Sequence, residues 1–102
     1  MSFGNLAKMA QQMQAEMARV QGELETLPVQ GSAGGGAVTA TATGKQELVS
    51  IAIDPDVVDP ADVEMLQDLV TAAVNDALRT ARSEAERRMA AITGGLRLPG
   101  LG

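Results

Sequence analysis

The chain of 102 residues contains no cysteine, histidine, tryptophan or tyrosine, and Phe3 is its one aromatic residue. Without cysteine there are no disulfides and no thiolate nucleophiles. Without histidine there is no imidazole base, and zinc sites built on Cys or His are excluded as well. The scarcity of aromatics removes the side chains on which unpaired bases stack. No apolar run approaches the ~18 residues needed to span a bilayer, and the N-terminus MSFGNLAKMA lacks the basic-then-apolar pattern of an export signal. These absences predict a soluble, cytoplasmic protein with no catalytic residues, no cofactor, no bound metal, no small-molecule substrate and no membrane contact. The length allows one domain, residues 1–102.

What is present is aliphatic and patterned. Leu6, Ala10, Met13, Met17, Val20, Leu24 and Leu27 recur at alternating spacings of four and three, an a/d stripe on a helix over 5–27. Gly22 within it is a mild cost, and Pro28 stops it. Val29–Ser32 reads as a short strand, and Gly31–Gly36 as a turn or mobile loop, or a place where strands approach closely. Val38–Thr43 alternates strictly, with Thr at every second position, and Leu48–Ile53 returns after a turn at Gly44-Lys45. In the returning strand Val49, Ile51 and Ile53 share one side, and Leu48, Ser50 and Ala52 the other. Asp59 as N-cap with Pro60 at the first helical position opens a long helix. Leu66, Val70, Ala73, Ala77, Ala81, Ala85, Met89 and Ile92 line it until Gly94-Gly95. Residues 95–102 form a flexible tail. The order is helix, two or three strands, long helix, tail: an α+β fold.

Such a chain cannot hide its own apolar surface. A sheet of two or three strands is marginal alone, and helices of about 35 and 50 Å exceed a compact domain of this length, whose radius of gyration is ~13 Å. A homodimer in which the small antiparallel sheets join and helix seams meet resolves the mismatch. Met9, Met13 and Met17 suit an adaptable contact of that kind.

The candidate chemistry is sparse. Asp54, Asp56, Asp59, Asp62 and Glu64 fail the EF-hand pattern, which needs Gly and Glu where Asp59 and Met65 stand; they read as turn and cap residues. The glycines do not meet phosphate-loop spacing. The net charge of −5 argues against a polyanionic partner, but its distribution does not. Residues 45–76 hold Lys45 against eight acids, whereas 77–102 hold Arg79, Arg82, Arg87, Arg88 and Arg97 against Glu84 and Glu86. At 100° per residue Arg79, Arg82 and Arg87 share the broad helix face away from the Ala85/Met89/Ile92 stripe, and Arg88 flanks the stripe. These residues are either an ordinary solvated face, with pairs Asp76–Arg79, Arg82–Glu86 and Glu84–Arg88, or a site for anions, doubled in a dimer and set apart from the acidic middle. Readout of bases is not expected, since Asn and Gln are not concentrated on this helix. A non-enzymatic scaffold that recruits a partner helix to an exposed seam is the alternative function.

Several ordered blocks then add up: FGNLAKMAQQMQAEM at 3–17, the glycine-rich loop before Val38-Thr39, IDP at 53–55, EMLQDLVTAAVNDAL at 64–78 and TGGLRLPGL at 93–101. Over nearly its whole length the chain resembles the bacterial YbaB/EbfC family of small nucleoid-associated DNA-binding proteins. The resemblance implies an α-β-β-β-α subunit, a homodimer joined through its sheets, long projecting helices that grip double-stranded DNA, and no catalysis. The DNA-binding positions it implies are Lys8, Arg19, Arg79, Arg82, Arg87 and Arg88. The first helix of many relatives is rich in lysine. Here it keeps only Lys8 and Arg19 beside three glutamates, which predicts weaker DNA binding or heavier reliance on the last helix.

Overall fold

A computed structural model describes residues 2–94; the tail expected at 95–102 lies outside them. Helix α1 spans Phe3–Thr26, strands β1, β2 and β3 span Pro28–Ala33, Val38–Thr43 and Leu48–Ile53, and helix α2 spans Val63–Gly94. The sheet is antiparallel in the order β1-β2-β3. The α-β-β-β-α order expected from the sequence is therefore the observed one, with three strands. Ser2 caps α1, its hydroxyl accepting from the Asn5 amide.

The sheet packs one face on α2. Val38, Ala40 and Ala42 of β2 alternate into that face and meet Ala73 and Ala77 of α2, all fully buried. This core is built of small residues, so helix and sheet lie close. Gly31 sits at the tightest point: a Cβ there would stand 2.1 Å from the Ala77 amide nitrogen and 2.7 Å from the Ala73 carbonyl oxygen. Gly31 is thus a buried strand residue opposite Ala40 and not part of the turn. The turn runs over residues 34–37, closed by the Ala37 amide donating to the Gly34 carbonyl, and its glycines Gly34, Gly35 and Gly36 all have positive φ that L side chains rarely adopt.

Two further expectations are corrected. The N-cap of α2 is Asp62, whose carboxylate accepts from the Met65 amide, while Asp59 holds the preceding turn by accepting from the Ala61 amide. The helix therefore starts one turn later than the Asp-Pro signal suggests. In β3 the register slips between Thr41 and Ala42, so Leu48, opposite Ala42, shares the helix-side face with Ile51 and Ile53. Strict alternation along the strand puts it on the other side.

The molecule is drawn out. Its principal extents are 71 × 26 × 15 Å and its radius of gyration is 19.9 Å, against ~13 Å for a compact domain of this length. In α1 only Val20 and Leu24 are buried; Phe3 is 91% and Leu6 49% exposed. The N-terminal half of α1 projects with its apolar stripe uncovered, as the length argument requires. Gly22 lies on the surface of α1 with nothing within 4 Å of an added Cβ. Gly22→Ala is expected to stabilise the fold by about 0.5–1 kcal/mol, seen as a rise in the midpoint of thermal unfolding followed by circular dichroism.

Candidate nucleic-acid interface

The six basic candidates fall into three settings. Lys8 lies on the projecting half of α1 and makes no ion pair among the described residues. Arg79 and Arg82 lie on α2 with side chains 72% and 71% exposed. Arg19, Arg87 and Arg88 are drawn together where α1 and α2 run alongside each other, in contacts that join Gln21 to Met89 and Glu23 to Arg88.

That third group is a continuous ion-pair network. Arg19 donates to Glu16 and to Glu23, both at 2.6 Å. Arg87 donates to both oxygens of Glu84 at 2.6 and 2.8 Å. Arg88 donates through Nε to Glu84 at 2.9 Å and through Nη1 to Glu23 at 3.4 Å, linking the two helices. The guanidinium of Arg19 holds the Glu16 carboxyl below the usual carboxylate range, and Arg87 followed by Arg88 does the same for Glu84. A lowered pKa in the folded chain means the pairing is fully present above the ordinary carboxylate value and is lost only as pH falls through the lowered one. Near neutrality Glu16 and Glu84 are therefore ionised. The network's three guanidinium groups face three carboxylates, so it carries no net charge.

Arg79 and Arg82 are held differently. The expected partner of Arg79, Asp76, spends Oδ2 on the backbone amide of Ser32 in β1, at 3.0 Å, and its other oxygen stands 4.0 Å from Arg79. Arg82 lies 3.4 Å from Glu86, itself 70% exposed. Exposed pairs of this kind contribute about 0–1 kcal/mol, so a phosphate competes with them easily. The three pairs expected from the sequence all occur. The links Arg19–Glu16, Arg19–Glu23 and Arg87–Glu84 follow the same three- and four-residue spacing, a local signal that the sequence reading leaves unused. The link between Glu23 and Arg88 has no local signal, because 65 residues separate them.

The sheet edges also differ. On the β1 side, Pro28 and the Asp76 carboxylate close off backbone groups. On the β3 side, Leu48–Ile53 (LVSIAI) is exposed along its whole length and carries neither charge nor proline. Because α2 lies over β1 and β2 and barely reaches β3, Leu48, Ile51 and Ile53 remain about two-fifths exposed. Among the described residues no cluster of acidic side chains is arranged to hold a metal ion, and no helix is long and apolar enough to cross a membrane.

Comparison with known proteins bears on what such a surface does. Residues 1–96 match the model of the YbaB/EbfC DNA-binding family. A nucleoid-associated protein of Clostridium novyi is 58% identical over 101 residues, spanning 99% of this chain and 89% of the relative. One from Moorella thermoacetica is 57% identical, spanning 98% and 99%. The crystal structure of an uncharacterized protein of Helicobacter pylori has the same fold, with a TM-score of 0.76 at 23% identity, covering 92% of this chain and 99% of that one.

Proposed function

The chain belongs to the YbaB/EbfC DNA-binding family, and on that premise we propose that it acts as a homodimer in the bacterial nucleoid, in the cytoplasm. It binds duplex DNA there through phosphate contacts with little sequence preference and catalyses no reaction. The observation that carries this reading is the placement of Arg79 and Arg82. Both project from the α2 face opposite the sheet, and both are so loosely paired that phosphate oxygens can replace their carboxylate partners at little cost. Lys8 adds a free cation farther out on the projecting helix. With Phe3 as its single aromatic, the chain has no platform for stacking successive bases, so affinity comes chiefly from phosphate contacts, and such contacts position a protein without reading bases.

The homodimer forms through β3. Two copies of an unprotected antiparallel edge pair about a two-fold axis, giving a six-stranded sheet with both α2 helices on one face. Leu48, Ile51 and Ile53 of the two copies then cover one another between those helices. The basic set is doubled by the same step.

The expected result is a strong salt dependence. If a dimer engages four to six phosphates, log K falls against log[salt] with a slope of about −4 to −5. The Arg79→Ala/Arg82→Ala variant makes that slope shallower by about 0.9 for every phosphate it no longer engages. Fluorescence anisotropy of a labelled duplex across a salt series checks both, and a flat salt response or unchanged affinity in the variant overturns the reading. The scaffold alternative draws on the exposed stripe of Phe3 and Leu6. It predicts instead that charge reversal at Arg79 and Arg82 leaves partner binding intact.

A further inference from the structure

Resting on the DNA-binding reading, we infer that Glu23 and Glu84 set the DNA affinity: they occupy the guanidinium groups of Arg19, Arg87 and Arg88 and thereby hold it down. Each carboxylate serves two arginines: Glu23 binds Arg19 and Arg88, and Glu84 binds Arg87 and Arg88. A carboxylate and a phosphate oxygen compete for the same donors of a guanidinium fork. The two acids therefore act as built-in stand-ins for the backbone of DNA. Within each helix the network pairs at 2.6–2.9 Å and only the Arg88–Glu23 link between helices is longer, at 3.4 Å, whereas Arg82 and Arg79 have a single partner each at 3.4 and 4.0 Å, so the chain presents one set of arginines and withholds the other. The withheld set is the larger one. It also lies where α1 and α2 meet, so releasing it extends the arginine surface from α2 to both helices.

The test compares full-length chains binding a labelled duplex of mixed sequence across a salt series. Glu23→Gln/Glu84→Gln keeps the size and polarity of both side chains but frees the arginines. Glu25→Gln/Glu47→Gln removes the same charge at positions with no ion pair among the described residues, and so controls for net charge. The expected result is that the first variant binds about tenfold tighter than the control, with a salt slope steeper by about 1 to 2 as one or two further phosphates are engaged. Because the double variant also removes the link between α1 and α2, its helix content is checked by circular dichroism. Glu84→Gln alone, which frees Arg87 but keeps the Arg88–Glu23 link between the helices, serves as a second variant and is expected to bind about threefold tighter than Glu47→Gln. Binding no tighter than the control overturns the inference while leaving the DNA-binding reading in place, provided the unmodified chain binds and Arg79→Ala/Arg82→Ala binds more weakly with a shallower salt slope. An unmodified chain that leaves the duplex free overturns both. If the double variant loses helix content, the decision passes to Glu84→Gln, where affinity no tighter than that of Glu47→Gln overturns the inference and tighter binding supports it.

Discussion

Gly31→Ala is expected to destabilise the chain by about 3 kcal/mol or more, the top of the range for inserting volume into a packed core, and Gly31→Val to leave no cooperative unfolding transition. The reason lies in what the added carbon meets. Its three nearest neighbours are the Ala77 amide nitrogen, the Ala73 carbonyl oxygen and the Ala77 Cα. All are main-chain atoms of α2, so no side chain can swing aside. The helix has to shift away from the strand, since a Cβ essentially never stands closer than 3.0 Å to such atoms. Lifting it opens gaps along the whole contact of Ala73 and Ala77 with the sheet, because close-packed interiors transmit a local displacement. At about 4–8 °C per kcal/mol for a domain of this size, the midpoint of thermal unfolding falls by about 12–24 °C at fixed protein concentration. Gly22→Ala, in the same protein, moves the midpoint upward. A single Gly-to-Ala change thus has opposite signs at two positions, according to whether backbone or water lies beyond the Cα.

That contrast also shows what the sequence can and cannot convey. The period of the apolar residues identifies both helices, β2 and β3, since each spacing matches one backbone geometry. Gly31 falls both in the strand read at 29–32 and in the glycine run read at 31–36 as a turn, a loop or a place of close approach, because a glycine needed for positive φ and a glycine needed for close approach look alike in a chain, and here the two kinds lie three residues apart. Asp59 and Asp62 are equally good caps by residue type, and only the hydrogen bond to Met65 separates them. The slip that turns Leu48 inward arises from pairing with β2, not from the composition of β3. At the basic surface the arginines are visible in the sequence, and so is part of their local pairing. Their division into a presented pair and a neutralised trio depends on α1 lying against α2, and on Asp76 being engaged by Ser32 from another element. Contacts between residues 44 and 65 positions apart leave no periodic trace.

The other large effect expected concerns the β3 edge. Ile51→Lys is expected to convert the protein to a monomer in light scattering and to weaken DNA binding by about a hundredfold, the lower end of what linking two binding modules contributes. In a single chain Ile51 is 39% exposed, on a strand that α2 barely reaches, so a lysine there can extend its ammonium group into water and leave the monomer folded. In the paired sheet the same side chain lies between two α2 helices, where a second lysine from the partner copy faces it. An inward charge on an edge strand is a means by which proteins block pairing between edges. Each arm keeps its own Arg79 and Arg82, so the monomer still meets phosphate, but with half the contacts and half the salt slope. A variant that remains dimeric moves the interface elsewhere, toward the exposed stripe of α1. A variant that is monomeric yet binds DNA as tightly as before shows that one arm suffices, and then the doubling of the basic set no longer explains how so acidic a chain holds a polyanion.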